Sequence, residues 1–384
     1  MSERTPGRVA ICAVAQTAYE PDKWRERFQG MALEVVEKVI AQTHATYDEE
    51  RGITTVVTNS DDVWDARTIS DNAMTDVVGA HFRGEEKVAM DGCNAIGYAT
   101  ACILSGHDQV VLVVGHCKES QPESRHMVTN LAYDPFYLRP LGFDFLSAAA
   151  LQARAYMTRS GITEDHLAEV VVAMRRNAAR NPLAHARAPV TADDVRRSPL
   201  LCDPIRELHA YPVSDGAVAM LLCREERASE FTDKPVFVAG FGNCMDSYFP
   251  GDRDLGESVA LARAAARAFR MAGVTKPSGE LDVVEIKDCY AHQLPMTLEG
   301  LALCPEGAAR FIDSGGLASG GINPSGGMLA GNPGHIGGLA RAAECVLQLR
   351  GEARERQVKG AKRALAHGST GGAGQHQAVL VLET

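Results

Sequence analysis

The stretch with the clearest chemical potential is Lys87–Gly106, KVAMDGCNAIGYATACILSG. Lys87–Met90 reads as the end of a buried strand. Asp91 and Gly92 make a tight turn, and Cys93 stands where a helix begins. That helix carries Ala95, Ala99 and Cys102 on one side, so it can pack closely, and it stops near Ser105-Gly106. A thiol at a helix start meets unpaired N–H groups and the positive end of the helix dipole, which favour the thiolate. A buried structural cysteine fits the same position, because cysteine also behaves as a small apolar residue. Spacing alone leaves both readings open. Arg175, Arg176 and Arg180 form a second candidate group, suited either to phosphates or to a solvated helix face.

Composition narrows the class. The chain has 384 residues, 45% hydrophobic and 23% charged, enough for a large core in one or two domains. A net charge of −10 and the lack of a basic stripe argue against a nucleic-acid surface. No apolar run approaches the roughly 20 residues of a membrane span. The first apolar run, Val9–Ala15, has the length of a strand, and no secretory signal is recognised. Ten dispersed cysteines without a CxxC pair argue against a zinc ribbon and for a reduced, cytoplasmic protein.

The elements that must position these residues alternate. Strands are expected at Arg8–Gln16 and Thr54–Thr58, and at Gln109–Gly115 after the Cys93 helix. Helices are expected at Trp24–Thr43 and Ser70–Val78. The later part repeats the pattern. Its strands are Lys234–Gly242, Leu281–Lys287 and Gln377–Leu382, and its helices are Leu255–Ala272, Leu294–Leu303 and Gly337–Leu349, with a Gly-rich turn at Gly320–Gly331. Alternating strands and helices imply α/β layers. We read two halves, 1–233 and 234–384, with the site between their strand ends. An excursion, 118–213, interrupts the first half. It holds an irregular Pro/Tyr/Phe loop at Gln121–Pro140, helices near Ser147–Ser160 and Glu164–Asn181, and then a long Pro-punctuated loop. The first half is completed by a return near Asp215–Cys223.

Four blocks carry a resemblance. The string from Asn181 to Ala219 (NP…SPLLCDPI…DGAVA), VVEIKDCYAHQ (Val283–Gln293), INPSGGMLAGNPGHIGGLARAAE (Ile322–Glu344) and HGSTGGAG (His367–Gly374) resemble blocks of the thiolase superfamily. In detail they are similar to its sterol-carrier-protein-type branch. The resemblance implies a five-layered αβαβα sandwich of two duplicated halves with a loop-domain insertion. It implies an acyl-CoA acyltransferase that cleaves or forms a carbon–carbon bond in a 3-oxoacyl-CoA, in lipid or aromatic acid degradation. Coenzyme A would be substrate or product, with no permanently bound cofactor and no metal. It further implies a homodimer, with contacts expected near Gln109–Cys117, and a small OB-fold zinc-ribbon protein as a separate partner.

Thiolase chemistry needs a thiolate, a base and oxyanion donors. By resemblance these are Cys93, His335 or His367, and Asn332 with the Gly371 and Gly372 backbone. Lys287 and Tyr290 would contact substrate, and Arg175 and Arg176 the coenzyme A phosphates. The departures are specific. Family members carry about one more helical turn after the nucleophile, so an alignment from the helix end puts Ala89 there instead. Asn332 replaces the Gly-His-Pro histidine, Lys287 replaces an Asn or His, and the cysteine of the last loop is missing. Two alternatives therefore accompany the thiolase reading. One is a retro-aldolase acting on a β-hydroxyacyl-CoA without a cysteine nucleophile. The other is a catalytically silent subunit of a complex.

Overall fold

A computed structural model describes residues 7–48, 50–65, 69 and 71–384. The chain runs β1 (Val9–Gln16), α1 (Phe28–Thr43), β2 (Thr55–Asn59), β3 (Gly84–Lys87), α2 (Gly92–Ser105) and β4 (Val110–Lys118). The excursion contributes α3 (Arg125–Asn130), α4 (Phe145–Ser160), α5 (Glu164–Ala178), α6 (Ala192–Arg197) and the hairpin β5 (Leu200–Cys202) and β6 (Ile205–Arg206) before β7 (Asp215–Arg224). The rest is β8 (Val236–Met245), α7 (Val259–Ala272), α8 (Pro277–Glu280), β9 (Val283–Glu285), α9 (Gln293–Gly300), α10 (Ala308–Asp313), α11 (Gly337–Arg350), β10 (Arg363–Thr370) and β11 (His376–Glu383).

The strands lie in the order β3-β2-β4-β7-β1-β8-β11-β10-β9. Reading outward from the β1–β8 seam, β1-β7-β4-β2 on one side is matched by β8-β11-β10-β9 on the other. An isolated parallel bridge from Val284 to Ile322 stands where β3 stands in the first half. The seam is short, only Ala10–Phe237 and Ile11–Val236.

Side-chain alternation along the strands explains the layers. Val111 and Val113 of β4, and Ala364 and Ala366 of β10, face one shared core with α2 and α11. Val110, Leu112 and Val114 face the opposite way, onto α1. Leu365, Val379 and Val381 face α7 and α9. The order of layers is thus helix, strands, helix pair, strands, helices, the expected thiolase-like sandwich. Strands covered on both faces are mainly apolar, as β4 is up to Gly115 and β7 is from Gly216 to Cys223. Gly240 and Gly242 of β8 let α7 lie directly on the strand, where a Cβ would run into the carbonyls of Ala268 and Ala264.

Several expectations shift. The strand before Cys93 is Gly84–Lys87, not Lys87–Met90. The Asn59 side-chain amide donates to the carbonyls of Val88 and Met90 at 2.8 and 2.6 Å, so a side chain takes up these groups in place of a neighbouring strand. Of the expected helix Ser70–Val78, Ser70 lies outside the described residues, and Asp71–Ala73 form a single 3₁₀ turn. The irregular loop 121–140 contains α3. Strand β10 was not anticipated. The Gln109–Cys117 region cannot offer an edge for dimer contacts, because β4 is interior, paired to β2 and β7; the edge strands are β3 and β9. Among the described residues, no helix is long and apolar enough to cross a membrane.

Candidate active site

The parallel strands β2 and β4, and β9 and β10, end on the same side as the N-terminal ends of α2 and α11. Strand ends of this kind are where open α/β sheets hold ligands. A cavity of about 270 Å³ opens there. Lys287, Cys289, Tyr290, His335 and Gly371 border it, and the excursion covers it with Arg125, Phe145 and Tyr211.

Beneath the cavity lies a buried charge pair. Asp91 caps α2, its Oδ1 accepting from the Cys93 N–H at 3.0 Å. Its Oδ2 accepts from the Gly338 N–H at the start of α11 at 3.1 Å and from Lys287 Nζ at 2.8 Å. Lys287 also donates to the Ser369 carbonyl at 2.7 Å. One carboxylate therefore ties together the starts of both central helices and the ends of β9 and β10. Gly338 and Gly368 make room for it, since a Cβ on either would collide with Asp91 Oδ1. Burial works against the Lys287 charge, but Asp91, together with the nearby Cys289 and Cys93, offsets it, and the lysine pKa is raised. Lys287 is an ammonium here and not a base, contrary to the proton-acceptor role that burial alone would have allowed.

A second buried carboxylate, Glu119, closes the wall. It accepts from the N–H groups of Gly334 and Ser214 at 3.0 and 3.1 Å, from the Tyr211 hydroxyl at 3.0 Å and from Arg125 at 2.8 Å. The Arg125 guanidinium lies over the Tyr211 ring at 4.0 Å, and Tyr290 meets Tyr211 edge-on at 6.3 Å between centroids. Burial holds the Tyr290 phenol above its usual range, so it is a proton donor.

The expected site residues separate into two groups. Lys287, Tyr290, His335 and Gly371 meet at the cavity. Cys93 does not border it. Its side chain is fully enclosed, with Sγ 3.6 Å from the Gly338 carbonyl and 3.9 Å from that of Ala366. Burial, and then Asp91, push its thiol well above the ordinary range, outweighing the help from Lys287 and Arg341. Asn332 is turned inward, donating to the Gly327 carbonyl at 2.9 Å and accepting from Arg341 at 3.0 Å. His367 bonds Gln377 at 2.7 Å, and burial lowers its pKa to about 4. It borders only a small hollow adjoining Lys287 and Ser369. Gly372 packs against the Tyr133 hydroxyl. Arg175 and Arg176 donate to the carbonyls of Ala186 and Leu317 at 3.1 and 3.0 Å, away from the cavity. Arg176 borders a separate basic cleft with Arg180, Arg356 and Lys359.

Three site features were missed. Asp91 was read as a turn residue only. Cys289 borders the cavity with a thiol that burial raises to about 11, and its closeness in sequence to Lys287, which also borders it, was the available signal. Glu119, Arg125 and Tyr211 have no local signal. Among the described residues, no three His, Cys, Asp or Glu side chains cluster as metal ligands would.

These features define a class. Residues 244–384 match the family model described as "Thiolase C-terminal domain-like". The acetyl-CoA acetyltransferase of Methanothermobacter thermautotrophicus is 36% identical over 295 residues, 75% of this chain and 76% of that one. The protein belongs to the thiolase superfamily. Sterol-carrier-type proteins are also similar over shorter stretches. Rabbit (Oryctolagus cuniculus) sterol carrier protein 2 is 34% identical over 225 residues, 56% of this chain and 41% of its own. The solved structure titled "Ltp2-ChsH2(DUF35) aldolase" superposes with a TM-score of 0.84 at 23% identity, covering 99% of both chains.

Proposed function

We propose that this protein makes or breaks a carbon–carbon bond beside the thioester carbonyl of an acyl-CoA, as an acyltransferase of thiolase type acting on a 3-oxoacyl-CoA. The observation that carries the reading is the Lys287 ammonium at the cavity. Asp91 and Ser369 take two of its three N–H bonds, and the third remains for a ligand. A fixed, buried cation is suited to an enolate or oxyanion that develops on the thioester oxygen. The name of the archaeal relative, an acetyl-CoA acetyltransferase, supports the same chemistry.

In the thiolase form, a thiolate adds to the 3-oxo carbon, the C2–C3 bond breaks, and its electron pair passes into the thioester enolate. The enolate then takes a proton at C2, and the acyl group left on the sulfur passes to the coenzyme A thiol, whose proton returns to the freed thiolate. His335 or Tyr290 is positioned for the proton transfers. Cys93 is the sequence-based acyl acceptor, and to serve it the first turn of α2 has to open toward the cavity.

A second reading is favoured by one observation: Cys93 is walled off, whereas the proton-transfer groups already border the cavity. In that form a base removes the proton from the 3-hydroxyl of a β-hydroxyacyl-CoA. The C2–C3 bond breaks, an aldehyde or ketone leaves, and the enolate of the shortened acyl-CoA rests on Lys287 until C2 is protonated. No acyl-enzyme forms.

The test supplies acetoacetyl-CoA with coenzyme A, and separately 3-hydroxyacyl-CoA, to wild type, C93A and C289A. An acyl adduct on Cys93, detected by intact mass and lost in C93A, supports the thiolase form. Turnover of the 3-hydroxy substrate that survives in C93A and releases a carbonyl product supports the aldolase form. Absence of turnover and of coenzyme A binding rejects both and leaves the silent subunit.

The reading includes the two halves divided near 233, a homodimer, a separate OB-fold zinc-ribbon partner, a cytoplasmic location and no permanently bound cofactor. Ten unpaired cysteines suit a reducing compartment. Met127, Leu131, Phe136, Tyr137 and Leu141 are all at least half exposed on the excursion, an apolar surface suited to a docked chain. Sedimentation as a lone monomer at micromolar concentration would contradict the dimer.

A further inference from the structure

We propose that Asp61 is a positioning residue for His335, holding its imidazole so that Nε2 faces the cavity as the base. The consequence for turnover rests on the acyl-CoA reading above; the state of the imidazole does not.

His335 lies in the loop just before α11, with a side chain only 4% exposed, and it borders the cavity. Its Nε2 is buried and has no hydrogen-bond partner. A buried polar nitrogen without a partner is costly unless a ligand or a water meets it. Its Nδ1 stands 4.0 Å from Asp61 Oδ2. Asp61 follows β2 and also borders the cavity. Its other oxygen, Oδ1, accepts from the Val63 N–H at 2.9 Å, which fixes the carboxylate with Oδ2 toward the ring. A closure of about 1 Å completes an Nδ1–H to Oδ2 hydrogen bond, and such bonds tighten when substrate fills an enzyme site. With the proton on Nδ1, the lone pair sits on Nε2, where a base is needed.

The surrounding charges leave this part to Asp61. Asp65, Asp91 and Lys287 also face the ring, and the Cys117 sulfur is close to the His335 N–H. Asp65 is bonded to His116 at 2.9 Å, and Asp91 is bonded to Lys287. Burial lowers the His335 pKa against the opposing pull of Asp61, so the ring is neutral near pH 7 and able to accept a proton.

Nitrogen-15 NMR of labelled histidines in wild type, D61N, D61E and H335N (the last for assignment) reads the pair directly. In wild type the neutral ring is expected as the Nδ1–H tautomer. In D61N its pKa falls, because the raising charge is gone, and the tautomers mix. With acetoacetyl-CoA plus coenzyme A as probe, D61N lowers kcat on the order of ten- to hundredfold, with KM little changed. The acid limb of its pH profile moves down, and D61E restores most of the rate. An unchanged tautomer and pKa in D61N, or a loss confined to KM, overturns the proposal. If the NMR changes occur but wild type turns over no acyl-CoA, the pair stands and the acyl-CoA reading falls.

Discussion

Replacing Lys287 by Gln tests the charge pair that joins the two central helices. Lys287 and Asp91 are 5% and 1% exposed, and their charged atoms are 2.8 Å apart. At an effective dielectric of about 20, their attraction is about 6 kcal/mol. Desolvating two ions costs several kcal/mol each, so the pair as a whole is close to neutral for stability. Removing one partner is different. Asp91 stays buried with a full charge, and such losses run about 3–5 kcal/mol. Two backbone N–H bonds, from Cys93 and Gly338, still reach that carboxylate. We therefore expect the low end, about 3 kcal/mol. K287Q should also lose the cavity-facing positive charge, lowering kcat about 10²- to 10³-fold. The double variant D91N/K287Q should regain much of the stability and none of the rate. Urea unfolding with constant m-value, alongside turnover of the active acyl-CoA, separates the two effects. A K287Q protein that loses under about 1 kcal/mol, or keeps its wild-type kcat, refutes the reasoning about the pair or the cavity-facing charge respectively. The pH sign follows from the raised lysine pKa: the contribution is complete below the ordinary lysine value and is lost only as pH climbs through the raised one.

Other outcomes follow from the same geometry. Iodoacetamide should modify Cys289, which borders the cavity, before the enclosed Cys93, and an acyl-CoA should slow that reaction; peptide mass mapping decides it. The protein should lose stability as pH falls from about 6.5 toward 4, because burial lowers His209 and His367 to about 4 and His292 to about 3. The unfolded chain then binds protons that the folded one refuses, and His367→Gln should flatten that limb by up to about 3 kcal/mol in acid-unfolding curves. Gly368→Ala should disrupt the Asp91 site as K287Q does, since its new methyl collides with the carboxylate; melting within a degree of wild type would contradict this. Tyr290→Phe should keep stability and slow proton transfer by about tenfold or more, read as a kcat loss without a change in unfolding midpoint.

How far the sequence reached depended on the range of the interactions. Strand–helix alternation is local, so the doubled α/β order, the helix from Gly92 and its glycine stop were all legible. Helix starts were less so: α1 begins at Phe28 instead of Trp24, and α7 waits for the Ser258 cap that accepts from the Leu261 N–H. Strand β10 was missed because its Arg363–Thr370 run ends in small polar residues. It is a strand through its pairing with β9 and β11, not through its own pattern. Site chemistry followed the same rule in sharper form. A thiol at a helix start is reactive when it is accessible and the cap brings no negative charge beside it. Here the cap is itself a carboxylate, whose two oxygens hold Cys93, Gly338 and Lys287. Asp91 therefore takes the helix-end field that would have lowered the thiol pKa, and it adds a negative charge beside the sulfur. Lys287, at the cavity, still favours the thiolate, but burial and Asp91 outweigh it. That arrangement follows from two residues 196 positions apart, Asp91 and Lys287, each of which looks ordinary alone.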